Sequence, residues 1–170
     1  MKLSKLNDLD SIQATQVFQQ CCTASDWVRQ MVERRPFDSL DALKLQAASI
    51  WETMQGDDLL EAFAGHPRIG DLSSLKEKFH GTMASASKEQ SGVESASDSV
   101  IEELARYNKD YEGKFGFIFI VFASGKSAEE MLDIVKARIH NDHTREILIA
   151  AGEQLKITQL RIDRLIDPND

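Results

Sequence analysis

Apolar positions recur along most of the chain at intervals of three and four residues, the spacing that gathers them on one face of a helix. From Leu9 to about Cys22 the series runs through Ile12, Val17, Phe18 and Cys21. Ser25 offers a cap for a short helix carrying Trp27, Val28, Met31 and Val32, which Pro36 closes because its ring has no backbone N–H to give. Ser39 opens a stripe of Leu40, Leu43, Ala47, Ile50, Trp51 and Met54 that ends at Gly56. Asp57 begins a shorter helix through Leu59, Leu60 and Phe63 to about Gly65, and a weaker one holds Leu72, Leu75 and Phe79. A long helix is predicted from Ser95 or Asp98 to Gly113, with Ile101, Leu104, Ala105 and Tyr111 inward. Ser127 and Glu130 make a capping box for a helix to about His140, and a last helix runs from Asp142 to about Ile166.

Two stretches depart from this pattern. Residues 81–99, "GTMASASKEQSGVESASDS", have the Ser, Ala and Gly content of a linker, although Ser87 stands three residues before Gln90 and suits the first turn of a helix. Residues 115–123, "FGFIFIVFA", read as a buried strand, being short, aromatic, β-branched and bounded by glycine. A lone strand cannot complete its backbone hydrogen bonds, and no other segment offers a partner. The expectation there is extended backbone or a short helix running through the core. No repeat and no break in composition divides the 170 residues, which predicts one domain.

Composition narrows the function. Hydrophobic residues make up 42% and charged residues 28%, ordinary for a folded globular protein. A net charge of −8 argues against nonspecific binding to nucleic acid or to anionic membrane, which needs clustered Lys and Arg, yet leaves room for a small anion met by one or two arginines. No apolar run approaches the roughly 18 to 20 residues of a membrane span. The start "MKLSKLNDLDS" lacks the apolar region of a secretory signal, so a cytoplasmic setting is expected. Cys21 and Cys22 are adjacent, and a bridge between neighbours closes almost no loop, so both are read as reduced thiols in the core.

The candidate chemistry centres on His66, between Gly65 and Pro67. A residue before proline is pushed out of the helical region, so this imidazole leaves the register of the helix it follows. A histidine titrates near about pH 6.5, which suits proton transfer at neutrality. The same position also suits a histidine that merely stabilises the C-terminal end of the helix dipole. Arg68 and Asp71 bracket the Ile69–Gly70 turn and read as a local brace. Glu89 and Gln90, among small residues, offer a carboxylate and an amide to the N–H and C=O groups of a ureido compound, or form a solvated helix start.

Arg161 has Ile157 and Leu165 one turn to either side and Thr158 three residues before it, which puts it at the edge of the buried stripe. A guanidinium there must find an anion, internal or from a ligand; Arg164 reads as more exposed. "HNDH" at 140–143 has a metal-like composition, but Asp142 as a helix cap separates His140 from His143, and no H-E-x-x-H or paired C-x-x-C accompanies them. No metal is expected. No glycine-rich phosphate loop is present, so no nucleotide cofactor is expected either.

Taken together, "FAGHPRIGD" at 63–71, "SKEQSGV" at 87–93, "LARYNKDYEGKFGFIFIVFASGKSAEEML" at 104–132 and "LKITQLRIDRL" at 155–165 resemble the family of 2-oxo-4-hydroxy-4-carboxy-5-ureidoimidazoline (OHCU) decarboxylases, the last enzymes of urate breakdown. The likeness runs from about residue 8 to 166. It implies an all-α, single-domain, multi-helix fold, a homodimer, no metal and no organic cofactor, and it sets aside the strand-like reading of 115–123.

It also implies that His66 is the catalytic histidine and proton donor, with Pro67 shaping the pocket. Ala86, Ser87, Lys88, Glu89 and Gln90 would line the substrate site, with Glu89 also catalytic, hydrogen-bonding the ureido group and orienting or tuning the imidazole. Phe119, Ile120, Val121, Phe122 and Ala123 would present backbone amides, and Arg161 would meet the substrate's charge, the product being (S)-allantoin. Many relatives carry an arginine just after the apolar run; here Ser124 and Lys126 stand in that region, so no arginine role is carried over. Two other readings remain, a ureide hydrolase using His66 and Glu89 and a non-catalytic helical interaction module.

Overall fold

A computed structural model of the chain describes residues 1–66, 75 and 98–167. Eight helices lie among the described residues: α1 (Leu3–Asp8), α2 (Ser11–Gln19), α3 (Ser25–Glu33), α4 (Leu40–Trp51), α5 (Asp57–Ala64), α6 (Asp98–Phe115), α7 (Ala128–Arg138) and α8 (His143–Leu165). The described residues contain no strand, and none of their helices is long and apolar enough to cross a membrane. They group into two compact units, Met1–His66 with Ala151–Asp170, and Pro67–Ala150.

The first unit is built around α3, which packs against α2, α4 and α5. Its core holds Phe18, Trp27, Met31, Leu43 and Ile50, all fully buried. The Phe18 and Trp27 rings meet edge-on at 6.1 Å, and the Trp27 indole N–H donates to the Ala47 carbonyl at 3.0 Å, so the ring is buried without an orphaned donor. Asp10 caps α2 by accepting from the Gln13 N–H at 2.8 Å, which sets its start at Ser11 and leaves Leu9 outside. Ser39 caps α4 as the pattern predicts, accepting from Ala42 N–H at 3.1 Å. Helix α1 was not anticipated. Only six residues long, it is held by tertiary contacts: Leu6 is fully buried, and the Asn7 amide exchanges two hydrogen bonds, 2.9 and 3.0 Å, with the Phe37 backbone.

The start of α3 differs from expectation in an instructive way. Ser25 is the first residue inside the helix, and Ala24, which has no polar side chain, holds the cap position. The missing acceptor comes from α5. Glu61 Oε2 accepts from the Ser25 N–H at 2.8 Å, and its Oε1 accepts from the Ser25 hydroxyl at 2.5 Å. A carboxylate at a helix N-terminus also meets the positive end of the dipole.

In the second unit α6 packs along α7. Helix α7 opens with the predicted capping box of Ser127 and Glu130. Asp142 caps α8 by accepting from Arg145 N–H at 2.8 Å, as its position after His140 suggested. Helix α6 continues to Phe115, and Gly116, at φ +77°, turns the chain out of it in the left-handed region that glycine tolerates. Residues 118–123 then carry neither helix nor strand while Ile120 and Val121 are buried. Around the Tyr111 ring gather Phe115 at 4.6 Å, Phe119 at 5.1 Å and Phe117 at 5.8 Å. The apolar run is therefore core without sheet.

Candidate functional site

The corner that presents His66 is built by a close approach. The Thr23 hydroxyl donates to the Glu61 carbonyl at 3.0 Å, which also accepts from the Gly65 N–H at 3.3 Å, and contacts the Ala62 carbonyl at 3.4 Å in the last turn of α5. A Cβ on Gly65 would lie 2.0 Å from the Thr23 hydroxyl oxygen and 2.7 Å from its Cβ, so only glycine fits. The φ of Gly65 is an ordinary −73°; space, rather than conformation, selects the residue. His66 N–H then closes a tight turn onto the Phe63 carbonyl at 3.2 Å, and its side chain departs from the helix.

Both ring nitrogens have partners from α8. Nε2 lies 2.5 Å from Gln154 Oε1, and Nδ1 lies 3.5 Å from Arg161 Nη2. Gln154 is fully enclosed, and its amide nitrogen donates to the Thr158 hydroxyl at 3.1 Å, itself buried and in contact with the Cys22 sulfur. Arg161 is half-buried and donates from Nη1 to the Cys21 carbonyl at 3.1 Å. Among the described residues it thus meets a carbonyl and a ring nitrogen, neither of them charged.

This setting determines the charge on the ring. Burial strips water from the imidazolium and pulls the His66 pKa below its ordinary 6.5; the Arg161 charge pulls in the same direction, and the Gln154 hydrogen bond opposes both. The resting imidazole is thereby biased toward its neutral form. The neighbouring thiols also stay uncharged, since burial pushes Cys21 up to about 12 and Cys22 to about 11. Such thiols are poor nucleophiles.

His66 and Arg161, read separately in the sequence, are brought together across 95 positions. Gln154 and Thr158 were missed. The signal was present, because Gln154, Thr158 and Arg161 are polar positions four and three residues apart along one helix face that is otherwise apolar. Arg164 is exposed, as expected. Pro67, Arg68, Asp71, Ala86, Ser87, Lys88, Glu89 and Gln90 lie outside the described residues.

In the second unit Ile120 and Val121 are buried and Phe119, Phe122 and Ala123 half-buried. The Ile120 carbonyl accepts from Arg138 Nη1 at 2.8 Å. The same guanidinium pairs with Glu146, Nη2 to Oε1 at 2.6 Å and Nε to Oε1 at 2.7 Å. The Tyr111 hydroxyl donates to Glu146 Oε1 at 2.5 Å, and the Asn141 amide donates to Oε2 at 2.7 Å. Burial and the Glu146 carboxylate both push the Tyr111 hydroxyl pKa upward. In the "HNDH" stretch it is Asn141 that faces inward to this cluster, while His140 and His143 are exposed. No group of three or more His, Cys, Asp or Glu side chains capable of holding a metal occurs among the described residues. Ser124 is exposed, and Lys126 folds back to donate to the Phe122 carbonyl at 2.9 Å.

Comparison with known proteins adds to this geometry. The family model described as OHCU decarboxylase matches residues 7–163. A uric acid degradation bifunctional protein, TTL, of Arabidopsis thaliana is 40% identical over 146 residues, which is 85% of this chain and 45% of that protein. The chain thus spans under half the length of that relative. A 2-oxo-4-hydroxy-4-carboxy-5-ureidoimidazoline decarboxylase of Haloferax volcanii is 24% identical over 163 residues, covering 95% of this chain and 94% of that protein. A solved structure of an OHCU decarboxylase in the presence of (S)-allantoin superposes with a TM-score of 0.70 at 37% identity, covering 87% of this chain and 95% of that one.

Proposed function

The chain belongs to the OHCU decarboxylase family, and on that premise we propose that it decarboxylates 2-oxo-4-hydroxy-4-carboxy-5-ureidoimidazoline to (S)-allantoin, with His66 as the proton-transfer group. The observation that carries this reading is the His66 ring held with Nδ1 3.5 Å from the Arg161 guanidinium.

In this substrate one ring carbon bears both the carboxylate and a hydroxyl and adjoins a C=N bond. As CO2 leaves, the C–C electron pair moves into that C=N, so the external electron sink that pyridoxal phosphate or thiamine supplies elsewhere is not required. The hydroxyl becomes a carbonyl and releases its proton, and one further proton comes from solvent. One of the two ends on carbon as the new C–H bond and the other on nitrogen. The charge balances because a carboxylate departs as neutral CO2.

A neutral His66 takes the hydroxyl proton and, as imidazolium, donates it to carbon. Proton transfer by a positioned side chain contributes typically ~10²–10⁴-fold in rate. Delivery from one side makes one enantiomer. Arg161 grips the departing carboxylate, a task suited to its paired donors. Glu89 and Gln90 are assigned to the ureido group on chemistry, Ala86, Ser87 and Lys88 to the lining beside them, Pro67 to the shape of the corner, and Phe119 to Ala123 to backbone contacts with the substrate. The same reading takes the enzyme as a cytoplasmic homodimer needing no metal or organic cofactor.

The test generates the unstable substrate in situ from urate and follows circular dichroism at the allantoin band. The expected result is rapid accumulation of a single enantiomer; a rate no better than buffer overturns the reading. Consumption of added allantoin would mark a ureide hydrolase instead.

A further inference from the structure

We infer that Gln154 is a positioning residue that holds His66 as the tautomer with hydrogen on Nε2, so that Nδ1 is the atom that exchanges a proton with the substrate. This rests on the decarboxylation proposed above and extends it to a single atom. The argument begins with Arg161, which has only donors. Its Nη2 faces Nδ1 at 3.5 Å, so Nδ1 presents its lone pair and the ring hydrogen sits on Nε2. Gln154 Oε1, 2.5 Å away, accepts that hydrogen.

The amide orientation follows. Turned over, Gln154 would set its NH2 group against the Nε2–H; as placed, the NH2 donates to Thr158 Oγ1 at 3.1 Å. Gln154 and Thr158 are each 1% exposed, so water has no access to replace either bond. The titratable neighbours leave Arg161 as the charge beside the ring among the described residues. Cys21 and Cys22, from the segment after α2, remain thiols, and Glu61 of α5 is engaged by Ser25.

The substrate's geometry matches this pair of atoms. Carboxylate and hydroxyl sit on one carbon, so a carboxylate gripped by Arg161 brings its neighbouring hydroxyl to Nδ1. The O–H bond breaks as Nδ1–H forms, and Nδ1–H then breaks as the new C–H bond forms; no oxidant or reductant enters. Throughout, Nε2–H stays bonded to Gln154, whose amide oxygen accepts from the neutral ring and, more strongly, from the imidazolium. The Arg161 charge repels the proton on Nδ1 and favours its onward transfer.

The test combines ¹⁵N NMR of the His66 ring in the intact protein with kinetics of Gln154→Leu and Gln154→Glu. The wild-type ring is expected to show hydrogen on Nε2 above its titration. Gln154→Leu should populate the other tautomer and lower kcat about tenfold or more with KM unchanged, since Gln154 does not touch the substrate. Gln154→Glu keeps the acceptor, so kcat should recover at high pH while the acid limb of the rate profile moves up by about one unit.

A purely structural role would lower Tm but leave the tautomer and the pH profile as they were, and that result overturns the inference. An active wild type with hydrogen on Nδ1 overturns it as well. A wild type that shows Nε2–H but no decarboxylation defeats the proposed function, and with it the role of Nδ1, while the NMR result alone identifies which step failed.

Discussion

In the second unit Arg138 lies against a fully buried carboxylate, whereas in the first unit Arg161 lies beside a neutral ring and a backbone carbonyl. Glu146 accepts from Arg138, Tyr111 and Asn141, and Arg138 spends its remaining reach on the Ile120 carbonyl. That cluster is closed: charge meets charge, and both oxygens of the carboxylate are occupied. Removing two charges from water is costly, and only such complete pairing offsets it. Among the described residues no carboxylate pairs with Arg161, the guanidinium is half-buried, and burial with the Arg161 charge pulls the adjacent imidazole toward its neutral form. A closed cluster holds a fold together. On the function proposed above, an open one takes an anion from outside, and that difference separates a structural arginine from the one assigned to the substrate.

Breaking each cluster should therefore read out differently. Arg138→Met strands the Glu146 carboxylate in the core and is expected to destabilise the protein by about 3–5 kcal/mol in urea titrations. If that loss is under about 1 kcal/mol, the pair is not the buried closure described. Gly65→Ala forces a methyl group into the space of the Thr23 side chain, an overpacking that costs about 1–3 kcal/mol, with a rate loss beyond the stability effect because His66 follows directly. Wild-type activity in that variant would detach the corner from the chemistry. Arg161→Met removes one hydrogen bond to a carbonyl and should cost only about 1 kcal/mol in stability, while KM for the substrate rises steeply. An unchanged KM would place the anion elsewhere.

The smallest effect is on stability against pH. The folded-state pKa of His66 lies below 6.5, so the unfolded chain takes up the proton first as pH falls. Its contribution is constant above about pH 6.5, declines as pH drops toward the folded value, and levels off below it. Urea titrations across this range should show wild type losing stability toward acid relative to His66→Gln. A wild type that gains on the variant toward acid would mean that the folded protein favours the charged ring.

Much of this was legible because the residues concerned interrupt a pattern. His66 stands where Gly65 and Pro67 stop a helix, and Arg161 interrupts an apolar stripe, so each drew notice from sequence alone. The capping box at Ser127 and the cap at Asp142 are local rules and were readable as such. What escaped depends on distant partners. Glu61 as the cap of α3, Gln154 as the partner of the His66 ring and Glu146 as the counter-charge of Arg138 are ordinary polar residues until the chain brings their partners to them. Thr23 escaped for the same reason, since its demand on Gly65 is a spatial one across 42 positions. Helix α1 is too short to declare itself by periodicity.

The central claim is that the His66 imidazole moves the proton that fixes the product's handedness. Circular dichroism of product formed from substrate generated in situ, comparing wild type with His66→Ala at equal folded concentration, tests it most directly. The account predicts one enantiomer formed rapidly by wild type, and with the variant a rate lower by ~10²–10⁴ and a product that is racemic. A variant that still makes a single enantiomer at the wild-type rate would contradict it.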